Sequence, residues 1–164
     1  MKKLLEDDCY VDIGVVGVEE NGRFYEPKMP LLPVTEKLSL CYRYDDSVCV
    51  PVRALLDTGN DITLVKPETV RRLNKELNFD IPQFRKTRFM GKNGWKYEPT
   101  YKLALVFPGG QVYSSEYGCI SPVAENWDFE DMDVWVGQDI FNQLVVTFDG
   151  PGGGGKVTIV DPDR

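Results

Sequence analysis

The chain has 164 residues with 42% hydrophobic content, enough for one compact domain with a core and too short for a second full domain. Its 19 basic and 26 acidic residues leave a net charge of −7 and a pI near 4.7, which argues against nucleic acid or an anionic membrane surface as partners. It contains no histidine, so histidine-based triads, cysteine proteases with a His partner and zinc sites with His ligands are excluded together.

The opening Met1-Lys2-Lys3-Leu4-Leu5 starts like a signal peptide, but Glu6-Asp7-Asp8 cuts the apolar stretch short. With no export signal or membrane span read from the sequence, a cytoplasmic protein is the expectation. Tyr10 to Val18 is rich in Val and Ile, and Glu20-Asn21-Gly22 before Arg23-Phe24-Tyr25 predicts a first hairpin. Pro27, Pro30 and Pro33 block regular structure, so the chain divides into an N-terminal extension, 1–36, and a main unit, 37–164. Leu38, Leu40, Tyr42 and Tyr44 then alternate, a turn follows at Tyr44-Asp45-Asp46, and Val48, Val50 and Val52 alternate on the return arm. Cys41 and Cys49 would face each other across a three-residue turn, which leaves a disulfide open in an oxidising compartment. Buried thiols are the favoured reading of all four cysteines, Cys9, Cys41, Cys49 and Cys119.

The return arm runs into Ala54-Leu55-Leu56-Asp57-Thr58-Gly59, and Ile62-Thr63-Leu64-Val65 leaves as a second apolar run. Pro67 at a first helical position, Glu68 in the first turn, and Val70, Leu73 and Leu77 at helical spacing predict a helix over 67–77. Residues 84–107 read as two strands around Gly91-Lys92-Asn93-Gly94, 111–120 as a strand, and 124–133 as an acidic loop. Apolar segments surround Gly137 over 134–148, and Lys156 to Val160 reads as a last strand. The sum is mostly β with one or two short helices, a small barrel-like or sandwich-like core.

Asp57-Thr58-Gly59 is the segment that most invites chemistry. Apolar runs on both sides carry the carboxylate toward an interior, where an uncompensated charge costs several kcal/mol or stays protonated. A turn aspartate that bonds its own backbone explains the glycine but not those runs. Two rival motifs are weaker. Gly150 to Lys156 nearly fits a phosphate-binding loop, but Val157 stands at the hydroxyl position and no helix can follow. The cluster Glu125, Asp128, Glu130, Asp131 and Asp133 lacks the ligand alternation of a calcium loop and reads as a solvated segment.

The run Arg53-Ala54-Leu55-Leu56-Asp57-Thr58-Gly59-Asn60-Asp61-Ile62-Thr63-Leu64-Val65 resembles the catalytic loop of the retropepsin-like aspartic protease family. Phe89 to Trp95 resembles that family's glycine-bearing flap hairpin. Val134-Trp135-Val136-Gly137-Gln138-Asp139-Ile140-Phe141 is similar to the segment that closes its active-site core, and Leu144 to Phe148 to its terminal strand. The resemblance covers about 37–149, and the spaced combination is more specific than any one motif. Asn60 stands where the family usually carries a small residue, and Gln138 where viral members often carry an Arg.

The resemblance implies a retropepsin-like closed barrel, active as a symmetric homodimer, that hydrolyses peptide bonds with no metal or organic cofactor. Aspartic proteolysis needs two carboxylates sharing a proton, and the chain has one Asp-Thr-Gly loop, so Asp57 must meet Asp57 of a second copy. Thr58 is expected to tie the two loops together and Gly59 to let substrate backbone approach. Asp61, with Ile62 beside it, is expected to take substrate amides, and Met90, Gly91, Asn93, Gly94 and Trp95 to close over the bound peptide. The alternative is a non-catalytic dimeric peptide-binding or adaptor module on the same fold.

Overall fold

The computed structural model describes residues 2–7, 10–25, 49–57, 59–107, 112–148 and 157–162. Cys9, the proline-rich connector and boundary near 36, the hairpin arm bearing Cys41, Thr58 and the glycine run 149–156 lie outside the described residues.

The described chain is mostly β. In order it forms β1 (Lys2–Asp7), β2 (Tyr10–Gly17), β3 (Cys49–Leu56), β4 (Leu64–Val65), α1 (Pro67–Leu77), β5 (Arg85–Gly91) and β6 (Gly94–Tyr101). There follow β7 (Leu103–Val106), β8 (Val112–Ser114), β9 (Cys119–Ile120), β10 (Val134–Val136), α2 (Gln138–Phe141), β11 (Val145–Phe148) and β12 (Val157–Asp161). Nine strands make one sheet in the order β5-β6-β9-β4-β10-β3-β2-β7-β8, and β1-β12-β11 make a second. Among the described residues the larger sheet is open, with β5 and β8 at its edges, where the sequence led us to expect a closed barrel.

Its centre is built from the most apolar runs. β2 pairs antiparallel with β3 from Tyr10↔Leu55 to Val16↔Cys49 and with β7 from Gly14↔Val106 to Gly17↔Leu103, so it belongs to the same sheet as the strand leading to Asp57. The short hairpin after it forms at Val18↔Phe24, where Gly22 takes the positive φ that the turn requires. Residues 84–107 hold three strands rather than two, because the return arm breaks at Lys102 and the run 103–107 is buried at every position. Likewise 111–120 holds two short strands. Gly118, at φ +76°, turns the chain between them, so that β8 joins β7 while β9 joins β4 and β6.

Helix α1 has the predicted bounds. Pro67 occupies the first turn, where no backbone N–H is needed, and Asn78 ends the helix in the left-handed region that Asn tolerates. Thr69, Val70, Leu73 and Leu77 face inward, and the last three join the main core with Val52, Ala54, Leu56 and Val134. Burying Leu73 and Leu77 stabilises the helix by about 2 kcal/mol each, which fixes α1 behind the strand that carries Asp57.

Cys119 is fully buried in this core. Burial first, then the charge of Asp139, pushes its thiol well above the ordinary range. A raised folded-state value means the thiolate is favoured in the unfolded chain, so this group's contribution to stability is present at neutral pH and is lost as pH rises past the unfolded thiol, about 8.5. In native protein at mildly alkaline pH, alkylation mapped by mass spectrometry should leave Cys119 unmodified until denaturant is added.

Candidate active site

The Asp57 loop is held between two strands by a third. β3 leads into it and β4 leaves it, and β10 lies between them, parallel to β3 (Val134↔Ala54, Val136↔Leu56) and antiparallel to β4 (Val134↔Val65). The ladder continues past the strand ends. Asp57 N–H donates to the Val136 carbonyl at 2.9 Å, Gln138 N–H to that of Asn60 at 2.8 Å, and Asp139 N–H to that of Asp61 at 3.1 Å. Gly137 makes this crossing feasible. A Cβ there would lie 2.8 Å from the Asn60 carbonyl oxygen and 2.9 Å from the Ile62 carbonyl carbon, both backbone atoms. Gly137→Ala should therefore cost roughly 1–3 kcal/mol in a urea titration, because neither strand can yield without breaking the ladder.

Behind the loop, the Thr63 hydroxyl donates to Asp139 Oδ1 at 2.8 Å and accepts the Gly137 N–H at 3.0 Å. The same Oδ1 accepts the N–H groups of Thr63 at 3.1 Å and Ile140 at 3.0 Å. Asp139 Oδ2 is buried with no hydrogen-bond partner. The sequence reading did not single out Thr63 or Asp139, although each is a polar residue inside an apolar run, the one signal that points to a buried polar contact.

Asp57 itself is half-buried at the end of β3. Its Oδ1 accepts the Gly59 N–H at 2.9 Å and its Oδ2 accepts Asn60 Nδ2 at 2.8 Å. The carboxylate is thus oriented by its own loop. Asp61 is exposed with its carbonyl engaged, and Ile62 packs on Leu64, Ile120 and Phe129. Thr58 lies outside the described residues.

The β5–β6 hairpin forms with the predicted turn, Met90↔Trp95 and Gly91↔Gly94 in register and Gly94 at φ +89°. Met90 and Trp95 are about half exposed, 49% and 56%, and Arg88 stacks over Trp95 at 4.6 Å. The inner aromatic is Phe89, edge-on to Trp127 at 5.4 Å, and Trp127 is edge-on to Trp135 at 5.1 Å, beside Leu55 on the Asp57 strand. Both indole N–H groups are buried without a hydrogen-bond partner. The hydrogen bonds of the tip residues Lys92 and Asn93 run to Glu125 and Asn126. The acidic segment is therefore built in rather than simply solvated: Phe129 and Met132 are buried, and Asp133 accepts the Arg53 N–H at 2.9 Å.

A groove of about 570 Å³ lies between the start of α1 (Lys66, Glu68, Arg71) and Trp127 and Phe129, and the Asp57 loop does not line it. Among the described residues there is no cluster of side chains able to hold a metal ion, and no helix is long and apolar enough to cross a membrane. No protein-family model, curated protein or solved structure matches the chain.

Proposed function

We propose that the chain is an aspartic endopeptidase of retropepsin-like fold, its active site completed by Asp57 from each of two copies. The observation that carries this reading is the pinned loop. A half-buried carboxylate stands at a strand end, oriented by Gly59 and Asn60, and the loop is fixed on both flanks by β10 and the Thr63–Asp139 bonds. Such rigidity is what a group aimed at a reacting atom needs.

In the proposed reaction the two Asp57 carboxylates share one proton. The ionised one takes a proton from a water molecule as its oxygen attacks the scissile carbonyl carbon, and the other donates its proton to the carbonyl oxygen. The tetrahedral diol then collapses: the C–N bond breaks as the leaving nitrogen takes the dyad's proton, one diol hydroxyl gives its proton to the dyad and becomes the new carbonyl, and the dyad is again singly protonated. A cytoplasmic setting belongs to the same proposal, and the net charge of −7 supports the absence of nucleic-acid or anionic-membrane partners.

One observation favours the second reading, a non-catalytic dimeric peptide-binding or adaptor module. The Asn60 amide occupies Asp57 Oδ2, an oxygen that a dyad needs for its partner or for water. Incubating the protein with a peptide library, with and without a statine-type inhibitor, separates the two. Inhibitor-sensitive cleavage supports the peptidase, retention of uncut peptides supports the binder, and neither result overturns both.

A further inference from the structure

Asn126 belongs to an acidic surface segment yet is 0% exposed, and its side-chain amide and its carbonyl are spent on the β5–β6 hairpin. Its Nδ2 donates to Glu98 Oε1 at 2.8 Å, its Oδ1 accepts the Asn93 N–H at 3.3 Å, and its carbonyl accepts the Lys92 N–H at 2.8 Å. Both ends of the amide are engaged, which fixes its orientation. Glu98, on β6, is 3% exposed, and its other oxygen accepts the Val123 N–H at 3.2 Å. Asn93 Nδ2 donates to the Glu125 carbonyl at 2.8 Å, and Lys92 Nζ lies 3.6 Å from Asp128. Gly91 permits the close approach, since a Cβ there would overlap the Asn126 side chain and carbonyl oxygen.

These contacts have one arrangement in common. A buried carboxylate in the middle of the hairpin grips the loop at two points, and the loop in turn grips the hairpin tip through Asn126. The opposite face, with Arg88, Met90, Trp95 and Tyr97, is exposed, so beyond the β6–β9 ladder at its base the hairpin is anchored by its inward side. We infer that Glu98 and Asn126 are positioning residues that join the hairpin and the 123–128 loop into a single lid beside the Asp57 strand. The tip does not flex by itself; opening carries the loop with it. On the peptidase reading, on which the kinetic consequence rests, this lid sets how readily a peptide enters.

The test compares Asn126→Asp with the double variant Glu98→Gln/Asn126→Asp by hydrogen exchange of the Lys92 and Asn93 amides in mildly alkaline buffer. The single change sets two buried carboxylates against each other and removes the donor to Glu98. In the double variant the glutamine amide donates to the new carboxylate and its oxygen still accepts the Val123 N–H. Exchange at both amides should quicken at least about ten-fold in the single variant and return close to wild type in the double. In peptide hydrolysis, KM should rise in the single variant and recover in the double.

Unchanged protection in a folded single variant overturns the inference. So does a double variant that stays unprotected at the tip or does not fold, since compensation is what the geometry requires. Exchange is read without substrate, so wild-type protein that shows the exchange pattern but cuts no peptide keeps the lid and loses the peptidase reading.

Discussion

An equal mixture of wild-type and Asp57→Asn chains, at fixed total concentration and with subunits exchanged, is expected to keep about one quarter of the wild-type cleavage rate. The homodimer of Asp57→Asn chains should cut no peptide, because an amide can neither hold the shared proton nor accept one from water. The change is nearly isosteric at a half-buried position. The amide oxygen can still take the Gly59 N–H, and the Asn60 amide can turn to offer its oxygen to the new NH2, so folding should be little affected. If each site needs an intact Asp57 from both copies, activity follows the square of the wild-type fraction; a site built within one chain would retain about one half. Relief of like-charge repulsion favours heterodimers and pushes the remaining activity below one quarter. A linear dependence on wild-type fraction, with exchange confirmed independently, refutes the shared dyad.

What the sequence disclosed was what neighbours along the chain decide. Helix α1 was legible because Pro67 suits a first turn and Val70, Leu73 and Leu77 recur on one face. The turn at Gly91 to Gly94 was legible because Gly94 must adopt a positive φ. The Asp57 loop was legible because its apolar flanks are contiguous with the motif. Where partners lie far apart in the chain, the same reasoning had nothing to work on. Asn126 meets Glu98 across 28 residues and Thr63 meets Asp139 across 76.

Pattern failed in a second way wherever a strand is buried on both faces or several apolar neighbours compete for one face. Leu103 to Phe107 read as the end of the second of two strands, but the run forms its own strand, β7, between β2 and β8, and all five residues are buried. In β5, Phe89 and Met90 are adjacent and both apolar, so the sequence could not say which points inward. Phe89 meets Trp127, and Met90 therefore falls on the exposed face with Trp95. The residues that the resemblance assigns to the flap thus divide between two faces: Gly91 and Asn93 meet the loop, and Met90 and Trp95 stand on the exposed face.

The other large effect should fall on stability. Asp139→Ala is expected to cost about 3 kcal/mol, and Asp139→Asn no more than about 1. Asp139 Oδ1 gathers three donors at 2.8–3.1 Å, and their loss is unequal. The Ile140 N–H keeps the Gly137 carbonyl at 3.2 Å and the Thr63 hydroxyl can rotate, but the Thr63 N–H is buried and left without that acceptor. An orphaned buried donor of this kind costs about 1–3 kcal/mol, to which the vacated volume adds. Asparagine keeps the acceptor in place, and its NH2, which finds no acceptor, replaces a carboxylate oxygen that likewise had no partner, so one unsatisfied buried group is exchanged for another. Urea midpoints with unchanged slope measure both values. Equal costs for Ala and Asn would mean that neither the Oδ1 acceptor nor the side-chain volume, both of which asparagine keeps, holds β4 and the Asp57 loop against α2. If the bonds do hold them, Asp139→Asn should also preserve peptide cleavage, whereas Asp139→Ala should lower it beyond what its folded fraction explains. The loop that orients Asp57 would then have lost one of its two flanks.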